Sequence, residues 1–381
     1  MITRIMTPGP TQVPEPVRIA RSLPCGNPDL DETFADEYRD TCRLISRLLD
    51  TENETLILSG EGILGLEAAC ASLTEPGDRV LVLDNGIYGK GFADFVSMYG
   101  GVPVLYTRDM RHALKADELA DYLEKDHNFK YATLVHCDTP SGMLNPIEEL
   151  CPLLKKYGIL TVVDSVSGMF GNRLSVDNAQ IDLLCGGSQK AVSAPPGLTF
   201  VTLSDAAKKA MHERKTPIAS FYANLCTFDG YYEKKWFPYT MPGSDIKGLR
   251  AAMDLIAADP ELYDRHHRIA EATRRTLTDA GLTLYPLDGY SDTVTVFEVP
   301  EGTTDTAILA GIREQGLMLA GSFDVLAGKV IRIGHMGANA NDADMEDVMA
   351  ALDHTLRALG VPLKKDLLAT YKDYANANCE K

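Results

Sequence analysis

The sequence predicts an α/β fold: a large domain with a mainly parallel sheet covered by helices, then a smaller α+β C-terminal domain. Three observations carry this. Short β-rich runs alternate with helix-like segments over much of the 381-residue chain. Those runs are almost continuously apolar, as strands buried on both faces must be. From about residue 262 the alternation gives way to long helices with few strand-like runs. The expected boundaries are an N-terminal arm over 1–20, a large domain over 21–261 and a small domain over 262–381.

The elements follow in order. Strand-like runs occur at TLILSG (55–60), RVLVLDN (79–85), VPVLYT (102–107), YATLVHCD (131–138), ILTVVDS (159–165), DLLCGGS (182–188) and LTFVTLS (198–204). Helix-like segments such as KADELADYLEKDH and IEELCPLLKKYG separate most of them. The last two runs are joined only by KAVSAPPG, too short for a helical crossover, so that pair is expected to be antiparallel. Beyond residue 261 come a long helix in ELYDRHHRIAEATRRTLTDAG, a strand in TVTVFEVP and a helix around TAILAGIREQG. A strand in VIRIGHMG and a final helix from about Asp342 complete the chain. No internal repeat is visible.

Composition narrows the function classes. A net charge of −17 argues against a nucleic-acid surface, which needs clustered lysine and arginine. No run approaches a membrane span, and MITRIMTPGP lacks the basic-then-apolar order of a signal peptide. Eight cysteines (25, 42, 70, 137, 151, 185, 226 and 379) form no CxxC motif and sit mostly in apolar runs. They read as reduced, buried thiols of a cytoplasmic protein. His266 and His267 are adjacent, diverge on a helix, and read as a solvated face. No metal site is expected.

In open α/β sheets, ligands gather at the carboxyl ends of the strands. Asp164 ends ILTVVD, and Asp138 and Thr139 end YATLVHCDT. Ser188, Gln189 and Lys190 follow DLLCGG, Glu61 follows TLILSG, and Tyr88 follows RVLVLDN within NGIYGKG. Taken singly, an aspartate at a strand end is a turn residue and a loop lysine a solvated charge. Lys190, however, lies between a buried strand and SAPPG. Desolvated there, it would have a lowered pKa and could form a Schiff base. Such chemistry asks for a buried carboxylate facing a pyridinium nitrogen, and Asp164 on the preceding strand is the candidate.

The ordered motifs GEGILGLEAA, NGIYGKGF, HCDTPSGMLNPI, VVDSVSG, GSQKAVSAPPG, FPYT and RIGHMG resemble the class V aminotransferases of fold type I. These are relatives of alanine–glyoxylate and serine–pyruvate aminotransferases, and the resemblance covers nearly the whole chain. Within that family it is nearest to the pyridoxamine–pyruvate aminotransferases. The resemblance implies a homodimer with the site near the subunit boundary. It implies that Lys190 is the Schiff-base lysine and proton shuttle, and that Asp164 pairs with the ring nitrogen. Tyr88 would stack on one ring face, Val166 would pack the other, and Thr139 would reach the ring's polar edge. Arg332, between Ile331 and Ile333, would take the substrate carboxylate in a bidentate fork.

Two departures bear on the bound vitamer. Glu61 stands where phosphate-using relatives carry a hydroxyl, and Phe237 stands where many present a tyrosine from the neighbouring subunit. Two unit charges ~4 Å apart at an effective dielectric of ~20 repel by roughly 4 kcal/mol, and a phosphate dianion by more. A carboxylate instead suits a CH2OH group, which can donate to it. The best reading is amino transfer from pyridoxamine to pyruvate, giving pyridoxal and L-alanine. The unphosphorylated ring would be the substrate. The alternative is a pyridoxal 5'-phosphate enzyme exchanging alanine or serine with glyoxylate or pyruvate. A non-catalytic B6 binder is a third reading. Gln189, Thr240 and the backbone amides near Gly62 and Ile63 remain as phosphate donors, and Glu61 could instead pair with Lys90. Phe323 occupies a position where the nearest relatives have a second arginine, with Lys329 a possible substitute, so the keto acid stays open.

Overall fold

The computed structural model describes residues 4–377. Cys379 and the first three residues of the N-terminal arm therefore lie outside the described residues. Seven strands form one sheet, in the spatial order Glu54–Ser59, Leu198–Leu203, Leu183–Gly187, Leu160–Asp164, Tyr131–Val135, Arg79–Asp84, Val102–Thr107. Leu198–Leu203 is antiparallel to both its neighbours, and the remaining pairings are parallel. Six strands thus run one way and bring their carboxyl ends to a single edge. The short connection after Gly187 does force an antiparallel return: Ser188 N–H donates to the Leu198 carbonyl at 3.0 Å.

Burial follows position. Tyr131–Val135, Leu183–Gly187 and Leu198–Leu203 are buried at every residue, which explains their unbroken apolar runs. Val102–Thr107 is one of the two edge strands, half exposed, and it tolerates Pro103, which has no N–H to give a further neighbour. The run YATLVHCD is not one strand. It leaves the sheet after Val135, and Cys137–Asp138 pairs separately with Met143–Leu144. The Asn145 side chain holds this bend by donating to the Val135 carbonyl at 2.8 Å.

Beyond residue 261, helix Leu262–Asp279 leads to strand Val294–Glu298, which pairs antiparallel with Val330–Gly334. The expected last helix is two helices, Asp342–Ala358 and Leu367–Ala377. Gly360 at φ +81° and Pro362 break the run between them. Buried apolar side chains form two clusters, and the two-stranded sheet lies between them. Val294, Val296 and Val330 face the first cluster, whereas Phe297, Ile331 and Ile333 face the second. Alternation along a strand is what lets one pair of strands serve both cores. Near the N-terminus, Arg4–Ile5 pairs with Leu317–Met318, and Met6 is buried in the second cluster.

Two sequence expectations need correction. His266 is not solvated. It is fully buried, with Nδ1 2.6 Å from the Leu262 carbonyl and Nε2 accepting from Gly337 N–H at 2.9 Å. Helix Leu262–Asp279 turns that face inward, and desolvation pulls His266 down to about 4. His267 stays exposed beside Asp292. Likewise, not every thiol is buried: Cys25 is exposed and Cys226 partly so, although Cys42, Cys70, Cys137, Cys151 and Cys185 are enclosed. All the cysteines among the described residues are free. No helix among the described residues is long and apolar enough to cross a membrane.

Candidate active site

The shared strand edge opens into a cavity that is continuous with solvent. Each wall is placed by its strand. Glu61 ends the turn after Glu54–Ser59 and is the N-cap of helix Gly62–Leu73, where its carboxylate accepts from Ile63 N–H at 3.0 Å. Gly62 is needed for close approach, because a Cβ there would lie 2.9 Å from the Val166 side chain. Tyr88 is the second residue of helix Ile87–Met98. Its N–H donates at 3.0 Å to Asp138, a fully buried carboxylate that also accepts from Ser141 Oγ at 2.6 Å. Asp138 thus caps this helix from another strand and fixes where the Tyr88 ring stands.

Asp164 sits at the centre, 5% exposed, accepting from Val166 N–H at 2.9 Å. Burial raises its pKa to about 7, with Asp138 and Glu61 pushing the same way and Val166 N–H and Lys190 opposing. Lys190 Nζ donates to the Pro8 carbonyl at 2.8 Å. Desolvation first, then the positive charge of Arg332, lowers Lys190 to about 8. The chain passes close enough that a Cβ on Gly9, at φ +95°, would overlap the Lys190 side chain. An acid and an amine whose pKa values converge on neutrality, facing one cavity, are what proton-transfer chemistry requires.

Eight expected residues line this cavity: Glu61, Gly62, Ile63, Tyr88, Thr139, Asp164, Val166 and Lys190. Four do not. Gln189 stands behind Glu61 and donates its amide N–H to that carboxylate, while its Oε1 is buried without a partner. Glu61 is therefore engaged by Gln189 and Ile63 N–H, not by Lys90, which is exposed. Phe237 is 5% exposed and packs among Phe34, Tyr38 and Tyr231. Its ring is part of the aromatic core of this chain and not of the cavity wall. Thr240 lies apart from the cavity and donates to Asp29 at 2.7 Å.

Arg332 stands beside the cavity. Between buried Ile331 and Ile333, it points from the opposite face of its strand. Its Nε donates to the Gly321 carbonyl at 2.6 Å, and its guanidinium lies 5.8 Å from the Phe323 ring centroid. No carboxylate among the described residues lies within ion-pair distance of it, and desolvation lowers its pKa. Phe323, 42% exposed, also meets the Tyr88 ring edge-on at 6.2 Å. Lys329 is exposed and absent from the lining.

Sequence reasoning missed Leu66, Cys137 and Ser167 in the walls. Leu66 lies one turn along helix Gly62–Leu73, and that spacing could have found it. Ser167 Oγ is buried without a partner, an orphaned group at a ligand cavity. Cys137 falls within the run YATLVHCD, but the bend that separates Cys137–Asp138 from the sheet is not marked in the sequence, and the segment after Asp164 has no periodicity that would have marked Ser167.

The chain is similar to known proteins in both sequence and fold. The family described as Aminotransferase class-V matches residues 21–318. The chain is 32% identical to a pyridoxamine–pyruvate transaminase of Mesorhizobium japonicum over 342 residues, covering 87% of this chain and 86% of that one. It is 32% identical to an alanine–glyoxylate aminotransferase of Callithrix jacchus, covering 93% of this chain and 87% of that one. In structure it is similar to ureidoglycine–glyoxylate aminotransferase from Bacillus subtilis, with a TM-score of 0.94 and 26% identity. That match covers 99% of this chain and 98% of the other.

Proposed function

This chain belongs to the class V aminotransferases, and we propose that it moves an amino group from unphosphorylated pyridoxamine to a small 2-keto acid. Pyruvate is the first choice, with pyridoxal and L-alanine as products. Family membership implies dependence on pyridoxal phosphate as a class trait. The finer reading, a vitamer without phosphate handled as substrate, rests on Glu61. At the N-terminus of helix Gly62–Leu73, where a phosphate would seek free N–H groups, Glu61 already takes the Ile63 N–H and the Gln189 amide. That leaves a carboxylate facing the cavity, an acceptor for a hydroxymethyl group and a repellent for a phosphate.

The residues present fit a B6 ring. Asp164 has a buried carboxylate for the ring nitrogen, Tyr88 and Val166 offer two faces, and Ser167 Oγ has no protein partner to satisfy it. When bound, the ring would supply an electron sink for charge developing at the substrate α-carbon. Lys190 Nζ, with its pKa lowered to about 8, is neutral in part near neutrality and can take and return a proton. Asp164 holds a proton at the ring nitrogen. Arg332, which has no carboxylate within ion-pair distance among the described residues, orients a substrate carboxylate, while the apolar ring of Phe323 beside it favours a monocarboxylate over a dicarboxylate.

The deciding experiment compares pyridoxamine with pyridoxamine phosphate in wild-type protein and in Glu61→Ser. Wild type should strongly prefer pyridoxamine. The variant should narrow or invert that preference by about 10²-fold, since solvent at exposed Glu61 screens part of a repulsion near 4 kcal/mol. A protein purified with tightly held phosphate ester, and losing it in the Ser variant, would instead support the alanine–glyoxylate reading. That second reading draws on the equal identity to the alanine–glyoxylate enzyme. A non-catalytic B6 binder would have no use for a lysine and an aspartate tuned toward neutrality.

Arg332→Ala should raise the KM for the keto acid by roughly 10²-fold, the usual effect of removing one partner from a buried charge-assisted pair. Pyridoxamine affinity should change little. Loss of vitamer binding with the keto acid unaffected would mean that Arg332 serves the other end of the site. We also propose a homodimer in the cytoplasm. Exposed apolar Ile63 at the cavity mouth, with exposed Phe221, Tyr222 and Trp236 elsewhere on the surface, suits a covered surface, and free, mostly buried thiols suit a reducing compartment.

A further inference from the structure

We propose that His212, Cys226 and Asp229 form a binding site for a divalent transition-metal ion of the zinc type, apart from the catalytic cavity. Strand Leu198–Leu203 runs against its neighbours, so it ends at the sheet edge opposite the cavity, where Leu203 pairs with Glu54. The chain then enters helix Asp205–His212, and His212 is its last residue. Cys226 and Asp229 come from the short 3-10 turn Leu225–Phe228 and the residue that closes it. In a 3-10 turn, side chains three apart eclipse one another, so this spacing aims a thiol and a carboxylate in one direction.

The donor atoms of the three side chains lie within 4.8 Å of one another. His212 Nε2 is 3.4 Å from Asp229 Oδ2, which suits two ligands each about 2.0–2.2 Å from a tetrahedral zinc ion. The turn is held in place. Asn224 accepts from Cys226 N–H at 3.0 Å, Leu225 N–H donates to Ser72 Oγ at 3.1 Å, and Lys234 donates to the Asp229 carbonyl at 2.8 Å. All three side chains border one solvent-open depression, which admits the water that would complete the coordination. Of the nearby cations, Lys208 is paired with Glu54 and Asp205, Lys234 is held by the Asp229 carbonyl, and Arg214, whose charge acts on Cys226, donates to the Ala71, Ser72 and Pro217 carbonyls. One nitrogen, one sulfur and one oxygen donor form a set that zinc and cobalt accept and calcium or magnesium do not. On binding, the Cys226 thiol would release its proton to solvent, one per ion. The ion would then tie helix Asp205–His212 to the turn.

Cobalt is the probe, because a thiolate–cobalt charge-transfer band reports the sulfur ligand directly. Full-length protein freed of metal by chelation should develop that band with tetrahedral visible absorption as Co2+ is added, and Zn2+ should erase both. Cys226→Ser should abolish the charge-transfer band, and Cys25→Ser should leave it unchanged. His212→Gln, at an exposed position, should weaken Co2+ binding at least tenfold and guards against a folding defect in the thiol variant. Zn2+ should also raise the thermal midpoint of wild type and not of Cys226→Ser. Absence of the band, or a band that survives Cys226→Ser, would overturn the site and leave an ordinary His212–Asp229 ion pair beside a thiol.

Discussion

Lys190→Ala should lose about 10⁴-fold or more in turnover while keeping the native fold. The structural cost is small: the side chain makes one hydrogen bond, to the Pro8 carbonyl, and otherwise borders a cavity. The chemical cost is large, because among the described residues no other amine lines that cavity. Wild-type activity should rise with pH as the Lys190 ammonium, lowered to about 8, gives up its proton, and this limb should vanish in the variant. Borohydride treatment of protein loaded with pyridoxal should add mass to the peptide containing Lys190. Mass on a different lysine, or substantial activity in the alanine variant, would remove the assignment.

Asp164→Asn should reduce turnover by roughly 10²-fold or more, with a smaller loss in vitamer affinity. The amide keeps shape and can still accept from Val166 N–H, but it cannot hold a proton on a ring nitrogen by charge. A pH signature accompanies the substitution. Burial raises Asp164 to about 7, so below that pH the carboxyl is protonated before the ligand arrives. Binding an already protonated ring must then expel one proton, and wild-type affinity should fall tenfold per pH unit below about 7. Above that range the carboxylate is already charged and no proton is expelled. The Asn variant should lack this limb. A fully active Asn variant would mean that the ring is paired elsewhere.

Strand–helix alternation, the antiparallel return after Gly187 and the polar residues at strand ends were all legible in the linear chain. Each follows from local rules: a buried strand must be apolar, a short loop cannot make a crossover, and a carboxyl strand end faces the ligand edge. The chemistry-bearing residues Glu61, Tyr88, Thr139, Asp164 and Lys190 were found that way, and the structure brings them to one cavity. Partners drawn from distant segments were not legible. Gln189 meets Glu61 across 128 positions and Pro8 meets Lys190 across 182. Phe237 is marked only by resemblance, where many relatives present a tyrosine from a neighbouring subunit, and nothing local shows that its ring is claimed by Phe34, Tyr38 and Tyr231. His266 reads as one of two solvated neighbours, yet its face of the helix is covered by the Gly337 segment. Periodicity states which residues must be hidden from water. Which side chain fills which space, and which donor meets which acceptor, depends on segments that only folding brings within hydrogen-bond reach.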